Sequence, residues 1–286
     1  MLADGRCLGF AEFGDPRGKP VLYFHGYPGS RLEARLAAVT ASRLRVRLIA
    51  LERPGYGLSD FQWDHHIGDW PADVAQLADA LKLDRFTVLG LSGGGPYAAA
   101  CALKLPHRLS SVGIVSGVGP PESFHYPAST NLTTRLALFL ARHSSLSADL
   151  IWAGLGPVIH LYPEHFVSRL DKIVAEADRE VLCLREVREA LSDTFREGLR
   201  SGSRGAARDL VLYARPWGFR IEDIPMTVNL WHGERDVIVP PAMGRFLQKA
   251  IPSCRATYFS EEGHFSLIMK YMKEVLEVLM SGSNGS

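Results

Sequence analysis

Cysteine is scarce in this chain, and its placement excludes two common frameworks. The 286 residues carry four, Cys7, Cys101, Cys183 and Cys254, with no C-x-x-C pair among them. That spacing excludes a disulfide scaffold and a paired-cysteine zinc site, and it reads as buried thiols in a reducing compartment. An excess of one charge is also missing: 32 Lys and Arg face 31 Asp and Glu, for a net charge of +1. There is thus no electrostatic basis for binding nucleic acid or an anionic membrane. No apolar run is long enough to span a bilayer. The most apolar stretch, residues 150–161, falls short of the roughly 20 residues a span requires, and Gly154, Gly156 and Pro157 interrupt it. Residues 1–6 are polar where the apolar core of a secretory signal would begin. Together these absences predict a cytoplasmic protein.

What is present is the composition of a packed domain, 47% hydrophobic and 22% charged. The length suits one large α/β unit. Residues 6–13 alternate loosely and end at a Gly14-Asp15-Pro16 turn, predicting one or two short antiparallel strands. Apolar runs at Val21–Phe24, Arg47–Leu51, Phe86–Leu91 and Ser111–Val115 read as buried strands, with helices between them. The first of those helices is expected to start at Ser30, with Glu33 completing a capping box, and to run to about Ser42. Alternating strands and helices predict a mostly parallel sheet with helices on both faces.

From Glu122 to Asp223 the strands vanish and helical periodicity takes over, around Leu132–His143, Leu146–Leu155, Phe166–Val174 and Val181–Leu199. The segment is the size of a small domain and is expected to pack across the strand ends as a cap. The α/β pattern then resumes with strands at Met226–Trp231 and Arg255–Phe259, and a closing amphipathic helix from Phe265 to Met280. The chain therefore divides into an α/β core (1–121 and 224–280), a helical cap (122–223) and a tail of flexible-linker composition (281–286).

The chemistry centres on Gly90-Leu91-Ser92-Gly93-Gly94, a G-x-S-x-G sequence between a strand and a helix. That context forms a sharp turn which exposes the serine hydroxyl where the sheet ends and the helix begins. A serine needs a base, and the base needs an orienting acid. Both should follow strands, since ligands gather at the carboxyl ends of a parallel sheet. His264, in the loop after the last strand, is the candidate base. Asp236, after the preceding one, is the candidate acid, with Glu234 and Glu122 as rivals. His232 reads as a turn-fixing residue, and His65 and His66 lie in a polar loop. The oxyanion would be held by the amide of Gly93 and, because Pro28 has no N–H, by the amide of Tyr27. The Glu52–Ser59 loop lacks a phosphate-binding G-x-x-x-x-G-K-[ST] pattern and reads as a brace. Leu91 reads as packing. Trp152, Tyr162, Phe166, Tyr213, Trp217 and Phe219 are candidates for the pocket wall or for cap core.

His25-Gly26-x-Pro28-Gly29, Arg53-Pro54-Gly55-x-Gly57-x-Ser59, Gly90-x-Ser92-x-Gly94, His232-Gly233-x-x-Asp236 and Gly263-His264-Phe265 together make the chain resemble the α/β-hydrolase superfamily. The resemblance implies a mostly parallel eight-stranded sheet, a cap after the sixth strand, and a Ser92–His264–Asp236 triad. Glu52 stands where many relatives carry Asp. Ser92 argues against the aspartate-nucleophile members, and Leu91 with Gly93-Gly94-Gly95 departs from the elbows of prolyl aminopeptidases and carbon–carbon hydrolases. The reading that follows is a serine hydrolase of small-molecule carboxylic esters working through an acyl-enzyme, with no metal and no organic cofactor. Amide, thioester, lactone or carbon–carbon cleavage, acyl transfer, and ligand binding without catalysis are the alternatives. The oligomeric state is not legible.

Overall fold

Buried apolar runs of this length, each closed by Gly, Pro or Ser, are satisfied by a sheet covered on both faces. The computed structural model describes residues 1–123 and 132–282 and has that arrangement. Its strands are β1 (Phe10–Gly14), β2 (Lys19–Phe24), β3 (Val46–Leu51), β4 (Phe86–Leu91), β5 (Leu109–Val115), β6 (Val228–Gly233) and β7 (Cys254–Phe259). Its helices are α1 (Ala38–Arg43), α2 (Trp70–Ala80), α3 (Gly95–Lys104), α4 (Leu132–His143), α5 (Ser145–Leu161), α6 (Pro163–Leu170), α7 (Glu176–Leu182), α8 (Arg185–Gly198), α9 (Arg204–Ala214), α10 (Pro241–Ala250) and α11 (His264–Ser281). The sheet order is β1-β3-β2-β4-β5-β6-β7, with β1 antiparallel to β3 and the other pairs parallel.

The expected eight strands are seven among the described residues, and α4–α9 follow the fifth strand rather than the sixth. The difference lies at the amino end. Residues 7–9 are bonded to the loop after β3 instead of forming a second edge strand. The Cys7 amide donates to Asp60 Oδ2, the Gly9 amide to Ser59 Oγ, and the Gly9 carbonyl accepts from Glu52. Residues 124–131 and 283–286, parts of the expected cap and tail, lie outside the described residues.

Strand periodicity separates two cores. Leu22, Phe24, Ile49 and Val88 face one side and pack with Trp70, Val74 and Tyr97 from α2 and α3. Val21, Tyr23, Leu48 and Leu89 face the other and pack with Ala41 of α1 and Val275, Leu276 and Leu279 of α11. A third core, with Trp152, Val167, Leu191 and Phe195, lies within the helical segment and includes Tyr56 from the loop after β3.

Three local expectations are corrected. Ser30 Oγ does accept the Leu32 amide, but residues 31–37 form 3₁₀ turns and the α-helix begins only at Ala38. Helix α5 continues through Gly154, Gly156 and Pro157 to Leu161, and α9 is a further helix beyond those expected from periodicity. Both carry buried residues into tertiary contacts, which override weak local propensity. Of the cysteines expected to be buried, Cys101 is, whereas Cys7 and Cys183 are exposed. Among the described residues, no helix is long and apolar enough to cross a membrane.

The strand order reverses at β2. The chain steps from β2 to β3 on one side and then to β4 on the other, so a crevice opens beyond the carboxyl ends of β2 and β4. Everything chemical described below gathers there.

Leu22 is fully buried between layers, whereas Val39 on α1 is exposed. In urea titration, Leu22→Ala is expected to cost about 2–5 kcal/mol and Val39→Ala at most about 0.5 kcal/mol. Equal effects would mean that the sheet core does not carry the stability.

Candidate active site

Strand β4 runs directly into a tight turn at Ser92–Gly94, and α3 follows. Ser92 has φ of +51°, a conformation that side chains other than glycine rarely hold without surrounding constraint. The constraint comes from two glycines. A side chain at Gly90 would overlap the Gly94 carbonyl, and one at Gly94 would overlap the Phe24 carbonyl of β2. The serine is thus held at the mouth of the crevice.

Asp236 lies in the turn after β6. Its Oδ1 accepts the amides of Ile238 at 2.9 Å and Val239 at 2.8 Å, and its Oδ2 accepts from His264 Nδ1 at 2.7 Å. Both side chains are buried. His232 braces the same turn through Nε2 to the Val239 carbonyl at 2.8 Å. The rival acids are elsewhere: Glu234 pairs with Arg245, and Glu122 is exposed. His264, expected in a loop, is the first residue of α11. Burial works against a charged His264 ring, but the carboxylate of Asp236, joined by those of Asp178 and Glu33, outweighs it and lifts the imidazole above its ordinary value. Burial likewise opposes ionised Asp236, and His264 outweighs that too, holding the acid below its usual range. With Nδ1 committed to Asp236, Nε2 is the ring nitrogen left to take a proton. Ser92 and His264 line one cavity; among the described residues they share its wall without a hydrogen bond. Such contacts are often long before substrate arrives.

Of the two residues whose amides are expected to hold an oxyanion, Tyr27 lines that cavity and Gly93 follows Ser92, which does. The Gly26 amide is taken by both oxygens of Glu33, each at 3.0 Å. Tyr27 is the next amide, since Pro28 has none. Gly93 is the second residue of its turn, where an amide has no intrahelical partner. Sequence reasoning missed what fixes these two segments. Arg53 donates to the His25 carbonyl at 2.5 Å and the Gly26 carbonyl at 2.9 Å, and its Nε donates to Asp209 Oδ2 at 2.9 Å. Tyr213 donates to the Gly93 carbonyl at 2.9 Å and lies 3.2 Å from the same Asp209 oxygen. Tyr56 and Tyr97 also donate to Asp209. The Tyr27 hydroxyl donates to the Ala206 carbonyl and accepts from Trp152 Nε1. The only signal for this network was the Arg53-Pro54-Gly55 loop, read as a brace.

The cavity measures about 200 Å³. Leu91, Phe166, Leu191, Phe195 and Phe265 are typical of its wall. Of the six aromatics weighed from sequence, Phe166 lines it. Trp152 and Tyr213 are instead bonded within the network, Trp217 and Phe219 pack against the sheet core, and Tyr162 is exposed. Glu33 is a second residue that sequence reasoning missed. It was read as a capping residue, but its carboxylate turns inward to Tyr23 Oη at 2.8 Å and to Gly26. Burial raises its proton affinity despite those hydrogen bonds. Among the described residues, no Lys or Arg lines the cavity. Among the described residues, no cluster of three or more His, Cys, Asp or Glu is arranged to hold a metal.

Residues 19–271 match the family model described as alpha/beta hydrolase fold. A 2-hydroxy-6-oxo-2,4-heptadienoate hydrolase of Pseudomonas putida is 35% identical over 106 residues, 36% of this chain and 38% of that enzyme. The match thus spans well under half the length of that relative. A pimeloyl-[acyl-carrier protein] methyl ester esterase of Legionella pneumophila is 21% identical over 88% of this chain and 90% of its own. An esterase from Exiguobacterium antarcticum superposes with a TM-score of 0.71 at 17% identity, covering 99% of this chain and 97% of that one.

Arg53 and Asp209 are a buried pair, whereas Arg35 and Asp193 are an exposed one. Asp209→Ala leaves a guanidinium buried without its carboxylate and is expected to cost about 3–5 kcal/mol. Arg35→Ala is expected to cost under about 1 kcal/mol. Guanidinium unfolding of both variants checks the ranking, and a mild Asp209→Ala would remove the network from the stability argument.

Proposed function

The chain belongs to the α/β-hydrolase family, and from that premise we propose that it is a serine hydrolase of carboxylic esters. One observation carries the reading: the 2.7 Å Asp236–His264 hydrogen bond adjoins a cavity whose wall also holds Ser92 on its positive-φ turn. Ser92 Oγ attacks the acyl carbonyl as His264 Nε2 takes its proton. Asp236 keeps Nδ1 protonated and stabilises the imidazolium. The amides of Tyr27 and Gly93 hold the oxyanion. The carbon–oxygen bond to the alcohol then breaks, the alcohol leaving with the proton from His264, and water releases the acid by the same route. No metal or cofactor takes part in these steps. The segment 122–223 acts as a cap over a core made of 1–121 and 224–280, because its α6 and α8 supply Phe166, Leu191 and Phe195 to the cavity.

The cavity also bears on the substrate. Its 200 Å³ is below the roughly 300–1,000 Å³ of sites for drug-sized ligands, which favours a short or medium acyl group. Among the described residues its wall is largely apolar, carries Glu33 and holds no Lys or Arg, which favours a neutral substrate. A carboxylate brought there would be desolvated without a Lys or Arg to pair with it. The full-length likeness to a methyl ester esterase supports the ester class.

The reading is tested with p-nitrophenyl esters from acetate to palmitate. Turnover is expected to peak at short or medium chains and to vanish in Ser92→Ala; activity surviving in that variant would sink the assignment. In a paired comparison at pH 8, methyl butyrate should be hydrolysed at least about tenfold faster than monomethyl glutarate, a discrimination of about 1.4 kcal/mol. Equal rates would contradict the neutral-substrate reading. The pH dependence follows from His264, which must be neutral to accept a proton. Its raised value puts the midpoint of the acid limb of kcat/KM above 6.5, with activity lost as pH falls through it. Asp236→Asn removes the group that raises it and supplies the wrong tautomer, so turnover should fall by about 10⁴. Near-normal turnover in that variant would move the acid elsewhere.

A further inference from the structure

Helix α11 carries His264 as its first residue, and Gly263 before it has no side chain with which to cap the helix. The cap comes from elsewhere. Asp178 of α7, 86 residues earlier in the chain, accepts three consecutive amides: His264 at 2.9 Å through Oδ2, and Phe265 at 2.9 Å and Ser266 at 2.8 Å through Oδ1. Ser266 Oγ accepts the remaining amide of the turn, that of Gly263, at 2.8 Å. Asp178 is fully buried. Among the described residues it has no ion-pair partner, so its charge is met by these amides and by the positive end of the helix. Gly263 is shaped to this contact, because a Cβ there would overlap the Asp178 carboxylate.

We propose that Asp178 is a positioning residue for His264, through which the helical segment holds the base in register with Ser92 and Asp236; this rests on the Ser92–His264–Asp236 reading above. The argument is one of constraint. Asp236 fixes the imidazole from β6, but a ring is located only if its backbone is located too. The backbone of His264 opens a helix, and helix ends fray unless their orphan amides are satisfied. Three charge-assisted hydrogen bonds to one buried carboxylate remove that freedom. The source of the carboxylate matters as much as its geometry. It belongs to the segment that also walls the cavity, so seating that segment and completing the catalytic site are one event. Asp178 also adds its field to that of Asp236 and Glu33 at the His264 ring, with the buried His232 as the remaining titratable neighbour.

The test uses the full chain carrying Asp178→Ala or Asp178→Asn, with Ser92→Ala and Asp236→Asn in parallel. Each is assayed for kcat and KM on the best p-nitrophenyl ester, for the midpoint of the acid limb, and for the rate of Ser92 labelling by a fluorophosphonate. Asp178→Ala is expected to lower kcat and labelling by about 10–100-fold, the scale of an ångström-level misplacement, with KM changed less than about twofold. Asp178→Asn keeps an acceptor oxygen but loses the charge. It should recover part of kcat while the midpoint stays shifted down, a split that a purely structural residue would not produce. If Asp178→Ala does not fold, the Asp178→Asn split decides. Folded variants with a lower Tm but unchanged kcat, labelling and midpoint would overturn the proposal while an inactive Ser92→Ala left the triad reading standing. Activity or labelling that persists in Ser92→Ala would overturn both.

Discussion

The buried contact between Arg53 and Asp209 is the constraint on which the rest of the site depends. Taking a guanidinium and a carboxylate out of water costs several kcal/mol per ion, and attraction between them offsets this only when the remaining donors and acceptors are also satisfied. Here each guanidinium nitrogen of Arg53 has an acceptor, Nη1 and Nη2 donating to the carbonyls of His25 and Gly26, and Asp209 accepts from Tyr56 and Tyr97 as well. Tyr213 reaches from Asp209 to the Gly93 carbonyl. The loop after β2 and the turn after β4 are thus tied to one carboxylate on α9. Two segments that sequence can identify only separately are fixed relative to each other to the precision of hydrogen bonds. Oxyanion stabilisation demands that precision, because its donors must already be in place when charge develops.

The helical segment is also tied to the loop after β2. Tyr27 is held at its hydroxyl by Trp152 of α5 and by the Ala206 carbonyl of α9, and its ring meets those of Trp152 and Tyr213 edge-on. Rigid opening of this segment would break the bonds at Tyr27 and withdraw Asp209 from Arg53. Access to the cavity is then better served by small adjustments of α6 and α8, whose apolar side chains line it, than by swinging the whole segment aside.

Much of this was legible in the sequence, and the division has a physical cause. The parallel sheet, the turn at Ser92 and the Asp236–His264 pair could be read because each depends on local pattern: an apolar run, a glycine where backbone approaches backbone, a polar residue just after a strand. Asp209, Asp178 and Glu33 could not, because nothing near them in the chain marks them. Asp209 resembles any polar residue of an amphipathic helix, yet Arg53, Tyr56 and Tyr97, which tie it to the core, lie 112 to 156 residues away. Glu33 satisfies the spacing of a capping box, and the local rule gives the wrong partner because Tyr23 and Gly26 offer better ones. Residues 7–9 are a similar case: they lie in a stretch expected to hold one or two strands but find their bonds in a loop.

Glu33 also bears on the proposed chemistry. It binds the Gly26 amide, one residue from the amide assigned to the oxyanion, so an ionised Glu33 would oppose the charge that develops in the transition state. Burial favours its neutral form, and the hydrogen bonds from Tyr23 and Gly26 do not fully offset this. At the other side of the cavity the balance is reversed. Burial also penalises a charged His264, but there Asp236 more than compensates. One low-dielectric enclosure therefore acts oppositely on two groups according to their partners, pressing Glu33 towards neutrality while leaving the imidazolium stabilised. The proposed acyl transfer draws on the second of these balances: positive charge at the base is supported by the buried, ionised Asp236.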